Sequence, residues 1–197
     1  MRAGIAIAIA AAAAGFAMSW AAGCNGKPKP PAAPDAKPPP TQPATNPRHQ
    51  EPGRTYDPRN GFSIVPPPTY AGTAPGTSGF LAFLGSRDWG YTATFTVASR
   101  PDDGTAVERI GEAVKNDLSR TQKNYALVRE GFVTIDGRKA YTINAQFTQG
   151  AYNVQRVQYY LRGNNNRLYV MSFTSHARSF AQHRQAFEAA AITAATD

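Results

Sequence analysis

Cysteine is nearly absent: the 197 residues hold one, Cys24. That excludes an internal disulfide framework and any C-x-x-C redox or zinc site, so the fold must rest on its hydrophobic core. Histidine is scarce as well. His49 stands in a proline-rich stretch with no functional neighbour in sequence. His176 and His183 are too far apart to share a metal ion without outside ligands, and no Glu-x-x-His motif helps them. No metal site and no cofactor is expected. The patterns of a serine nucleophile elbow, a Walker phosphate loop and an EF-hand are all missing. Asp102-Asp103 stands before a helical stretch and reads as turn and cap rather than as an acid–base pair. With no nucleophile marked, catalysis is not expected.

Charge of either sign is missing from position 3 to position 26. Arg2 precedes this run, and Gly4 to Ala22 is mostly Ala and Ile. Such a stretch is long enough to span a bilayer, and it also has the order of parts of a secretory signal peptide. The lone cysteine decides between the two. Ala21-Ala22-Gly23-Cys24 resembles the bacterial lipobox, with Ala21 where leucine is usual. The resemblance implies cleavage after Gly23 and acylation of Cys24, so that residues 1–23 are a lipoprotein signal peptide. One acyl chain holds a protein only marginally, whereas two or three anchor it stably. Asn25 follows the cysteine, and by the same resemblance it lacks the aspartate that retains enterobacterial lipoproteins at the inner membrane. The expectation is an exported chain, lipid-anchored to a bacterial envelope membrane and facing the periplasm, with the choice of membrane left open.

Large apolar residues are missing next. From Asn25 to Thr55 there is no Val, Ile, Leu, Phe, Tyr or Trp, and ten of the 31 residues are proline. Proline fixes φ and removes a donor, so residues 24–55 are expected to be a disordered, semi-extended linker. Residues 56–197 then form one domain. The net charge of +8 is no single patch. Six of the 21 Lys and Arg and two of the 13 Asp and Glu precede Tyr56, which leaves 15 against 11, a charge of +4. A nucleic-acid partner is not expected from so small a balance on an exported chain.

What is present after Tyr56 is periodicity. Tyr91, Ala93, Phe95 and Val97 alternate with threonines, a strand pattern. Val107, Ile110, Val114 and Leu118 recur at helical spacing, predicting a helix from about Thr105 to Gln122. Asp136-Gly137 between two alternating runs marks a hairpin. A second hairpin joins Asn153–Arg162 to Leu168–Thr174. That last run is apolar on both faces and belongs in the middle of a covered sheet. Helical spacing returns from Arg178, with Phe180 and Phe187 in register. Strands, helix, a four-strand meander and a helix argue an α+β fold, an antiparallel β-sheet flanked by helices.

Gly61-Phe-Ser-Ile64 running into prolines, Asp136-Gly-Arg-Lys-Ala-Tyr141, Val157-Gln-Tyr-Tyr-Leu161, Leu168-Tyr-Val-Met-Ser-Phe-Thr174 and a closing helix with Phe180 and Phe187 resemble the PsbP-like α/β/α sandwich. Bacterial members include DcrB-like lipoproteins, and the resemblance runs from about Tyr56 to Ala195, with Tyr70 where an aromatic commonly follows the prolines. It implies the sandwich fold and a role in binding or assembly rather than catalysis. The expected function is a membrane-tethered, non-enzymatic binding or assembly module with an envelope protein as partner. The competing reading is a hydrolase, or a small-molecule carrier with a cleft between sheet and helix. Arg156, Tyr160 and Arg162 lie on one face of a meander strand, and Arg and Tyr favour binding hot spots, so these three are the candidate contact residues.

Overall fold

The computed structural model describes residues 47–72 and 80–197. The order of elements opens with a 3-10 turn (Pro47–Gln50), β1 (Thr55–Asp57), β2 (Phe62–Ile64), β3 (Ala71–Gly72), β4 (Phe80–Asp88) and β5 (Tyr91–Pro101). It continues with α1 (Val107–Thr121), β6 (Lys123–Ile135), β7 (Arg138–Gln149), β8 (Tyr152–Arg162), β9 (Arg167–His176), α2 (Phe180–Ile192) and β10 (Ala195–Thr196). Among the described residues, no helix is long and apolar enough to cross a membrane. The signal-peptide segment, Cys24 and most of the expected linker lie outside the described residues.

Alternation builds a seven-stranded antiparallel sheet in the order β3-β4-β5-β9-β8-β7-β6. Its middle strand is β9, the run that is apolar on both faces. One face carries Phe83, Phe95, Met171, Phe173, Tyr159 and Leu161, which pack with Phe180, Phe187, Ala190 and Ala191 of α2. Phe173 is fully buried and stacks on Phe95 with ring centroids 4.2 Å apart. The other face holds Tyr141, Ile143, Tyr160 and Leu168 beneath Val107 and Ile110 of α1. Helix, sheet, helix: the molecule is an α/β/α sandwich, with an α+β order of elements as the periodicity predicts.

Gly111 sets how closely α1 approaches, because a Cβ there would collide with the Tyr141 ring. The Asp136-Gly137 hairpin has both residues at positive φ, 53° and 70°, as a type I′ turn requires. Asp102 and Asp103 do not cap α1. Their carboxylates accept from the N–H groups of Gly104 and Thr105, closing turns, and the helix begins after Ala106 with no side-chain cap.

The fold reaches further toward the N-terminus than the expected boundary at Tyr56. All described residues fall in one unit, Pro43–Asp197. A second, three-stranded sheet in the order β1-β2-β10 accounts for this. Phe62 and Ile64 of β2 are buried in the α2-side core, so the small sheet is fixed to the large one. The segment before β1 lies against β2: Arg54 donates to Ser63 Oγ at 3.3 Å and pairs with Glu51 at 2.8 Å. Thus Pro47–Thr55 belongs to the fold and not to the linker, because its polar side chains find partners where its few apolar atoms could not.

Candidate functional site

The three residues expected to form a contact face do not form one. Tyr160 is 2% exposed beneath α1, and its hydroxyl donates to Gln158 Oε1 at 3.3 Å. Arg156 lies across the β8–β9 pair, donating from Nε to Thr174 Oγ1 at 3.0 Å, with its guanidinium 4.8 Å over the Phe147 ring. Burial lowers its pKa from the ordinary guanidinium value. Arg162 pairs with Asp102 at 2.8 Å and donates to the Thr105 carbonyl, tying the α1 approach loop to the sheet. Tyr160 and Arg162 hold α1 and its approach loop to the sheet, whereas Arg156 ties β8 to β7 and β9. The face that reads as outward from β8 alone is the seat of the helix.

The folded chain brings together a histidine, a serine and an acid that lie far apart in sequence. His49 Nδ1 is 2.7 Å from Ser63 Oγ, and His49 Nε2 is 2.7 Å from Asp197 Oδ1. The residue types are those of a serine-hydrolase triad, but the ring nitrogens are exchanged: in a triad Nε2 faces the serine and Nδ1 the acid. The setting differs too. Ser63 is 0% exposed in the middle strand of the small sheet, and Arg54 donates to the oxygen that would have to attack. The His49 ring is itself covered by Tyr56, stacked at 4.4 Å. Nearby, the space bounded by Phe62, Leu81, Val97 and Tyr169 has no room for a water molecule. No scissile carbonyl reaches Ser63 in this fold. The constellation is a clasp that holds the entry segment to β2 and to Asp197; Arg48 adds an ion pair to Asp136.

A cleft of about 360 Å³ opens at the opposite end of the β8–β9 pair. Phe147 floors it, and Asn124, Gln146, Asn153, His176 and Arg178 carry polar groups into it. These side chains are fixed by a relay. Asn124 donates to Thr148 Oγ1 at 3.0 Å, Thr148 donates to Asn153 Oδ1 at 3.1 Å, and Gln146 donates to Gln155 at 2.9 Å. The Arg178 backbone N–H donates to His176 Nδ1 at 3.2 Å, so in this tautomer the imidazole carries its proton on Nε2. Asn124 Oδ1, Gln146 Oε1, Asn153 Nδ2 and His176 Nε2 are left without a partner among the described residues.

Trp89 borders this cleft. It stacks on His176 at 6.0 Å, and the Arg178 guanidinium lies 4.9 Å over its ring. Even so, 62% of Trp89 is exposed. Trp89 and Gly90 form the two-residue turn between Asp88 and Tyr91, with φ of 54° and 81°. Asn, Asp or Gly normally fills the first of these positions. A bulky residue held there costs on the order of 1–3 kcal/mol, and an exposed ring returns little of that to the fold. Sequence reasoning did not single out this site. Its one signal is Trp-Gly between two alternating runs, where turn chemistry asks for Asn-Gly. Among the described residues, no group of three or more His, Cys, Asp and Glu is placed to hold a metal ion.

An antiparallel sheet between two helices, with this order of strands, makes the fold PsbP-like. The chain is similar to the solution structure of cyanobacterial PsbP (CyanoP) from Synechocystis sp. PCC 6803, with a TM-score of 0.54, 16% identity, and coverage of 73% of this chain and 91% of that one. It is also similar to the crystal structure of LpqN, involved in cell envelope biogenesis of Mycobacterium tuberculosis, with a TM-score of 0.55, 9% identity, and coverage of 76% and 88%. At such identities the likeness shows the fold alone. No protein-family model matches the chain, and no curated protein matches it.

Proposed function

We propose that this chain is an exported lipoprotein of the bacterial envelope, anchored through acylated Cys24, and that its domain binds a ligand without transforming it. The observation that carries the binding reading is the Trp89 cleft. Exposed Trp89 stands beside it against His176 and Arg178, and among the described residues four polar atoms of its lining have no partner and the Arg178 guanidinium has no ion pair. Convergent polar groups around an aromatic wall are how ligand sites are built. Ser63, the serine that meets His49, is fully buried, so it lends no support to the hydrolase reading. The envelope location is supported by the charge-free run before Ala21-Ala22-Gly23-Cys24. LpqN, of like fold, is described as involved in cell envelope biogenesis, which accords with this location without carrying it.

Two measurements test the proposal. Mass spectrometry of the N-terminal peptide should find Cys24 first and acylated, and Cys24→Ser should release the protein from membranes. An intact, unmodified Met1 terminus would reject the anchor. A photoreactive side chain at exposed Gln149, beside the cleft, should capture an adduct in native membranes that disappears with Trp89→Asn. An adduct indifferent to Trp89 would remove the cleft as the binding surface.

A further inference from the structure

The lining of the Trp89 cleft selects among ligands, given the reading of that cleft as the binding surface. We propose that it takes an acidic glycan, a chain of pyranose rings bearing carboxylate groups. Trp89 would stack against the face of one ring, and Arg178 would pair with the acid.

Three observations carry this. First, the unpartnered atoms are of both kinds: Asn153 Nδ2 and His176 Nε2 donate, whereas Asn124 Oδ1 and Gln146 Oε1 accept. A simple anion would call for donors alone. Sugar hydroxyls donate and accept, and they match the mixture. Second, no carboxylate lines the cleft, and the Arg178 guanidinium has no ion pair among the described residues. A ligand carboxylate would supply the ion pair it lacks, because guanidinium binds carboxylate in a paired fork. Third, the indole, with Arg178 over its ring and His176 stacked against it, still keeps 62% of its surface exposed, and that apolar π surface suits the C–H face of a sugar ring. Its left-handed backbone points the same way, since the turn keeps a side chain that its conformation disfavours. Asn124 belongs to β6, an edge strand of the large sheet, so a peptide added to that edge is the outcome the test must separate from a glycan.

The test uses the mature lipoprotein in detergent, in which cleavage before Cys24 removes Trp20 and leaves Trp89 alone to report. An oligogalacturonate and a neutral cello-oligosaccharide of equal length are titrated against its fluorescence. The oligogalacturonate should give a saturable change and bind more tightly than the neutral chain. Trp89→Asn should abolish that binding while the melting temperature stays equal or rises, because Asn tolerates positive φ. Arg178→Gln should weaken the acidic oligosaccharide by about tenfold or more and leave the neutral one unchanged. Saturable binding of neither sugar, or of both equally, overturns the acidic-glycan assignment, as does acidic binding that survives Trp89→Asn. If the sugars fail while the Gln149 adduct is a protein and still needs Trp89, the cleft stands and the ligand class is wrong. If the adduct fails too, both readings fall.

Discussion

Tyr159 and Tyr160 are neighbours on β8 whose side chains point to opposite faces, one under α2 and the other under α1. Burial pushes the Tyr159 phenol up from 10 to about 12, with nearby Glu188 adding to the shift, and burial raises Tyr160 as well. A raised phenol pKa means that the fold prefers the neutral form. The stability this gives is complete below the unfolded value of 10 and is lost as pH climbs toward about 12. Alkaline titration should therefore show tyrosinate absorbance and loss of far-ultraviolet ellipticity rising together in that window. Tyr159→Phe should move the onset upward. Ionisation of these tyrosines near pH 10 with the fold intact would show that they are not buried as described.

Among the elements, α1 is the clearest test of packing. Gly111→Ala removes a glycine from a helix interior, worth about 1 kcal/mol of propensity. The new methyl would meet the Tyr141 ring, whose hydroxyl is held by Glu130. Overpacking of this kind typically costs ~1–3 kcal/mol, so urea unfolding should show a net loss of stability despite the better helix former. A gain would mean that α1 is not seated as described. Replacing Arg156, Tyr160 and Arg162 together with Ala should lower the melting temperature sharply, since Tyr160 and Arg162 secure this helix and Arg156 joins the strands beneath it.

The long strands of the large sheet and both helices were legible from their periods, and the Asp136-Gly137 turn from its residue types; β3, two residues long, was not. Of the small sheet only β2 was legible, as residues 61–65 ended by prolines. Strands of two or three residues hold no period, and β10 ends in Ala195–Thr196 with nothing to mark it. His49 was illegible for a different reason: its partners, Ser63 and Asp197, are distant in sequence and meet only once both sheets have formed. Trp89 escaped because it departs from the chemistry by which turns are recognised.

Taken as a whole, the described molecule has two poles along the strand direction. At one, the entry segment meets Asp136, Ser63 and Asp197; at the other lies the cleft between Asn153 and His176. The 11 residues of β8 run between them, roughly 36 Å at about 3.3 Å each. A protein gripped at Pro47 and holding a ligand at Trp89 is a link under tension. The load passes into the clasp first and then along the strands, where ladder hydrogen bonds resist together in shear. Single-molecule pulling between Cys24 and the Trp89 turn should therefore give an early, weak release of Pro47–Asp57, followed by a much stronger event. His49→Ala should lower the first force and leave the second alone. On the proposed anchor and cleft, the clasp would act as a mechanical fuse, letting out slack before the large sheet is strained.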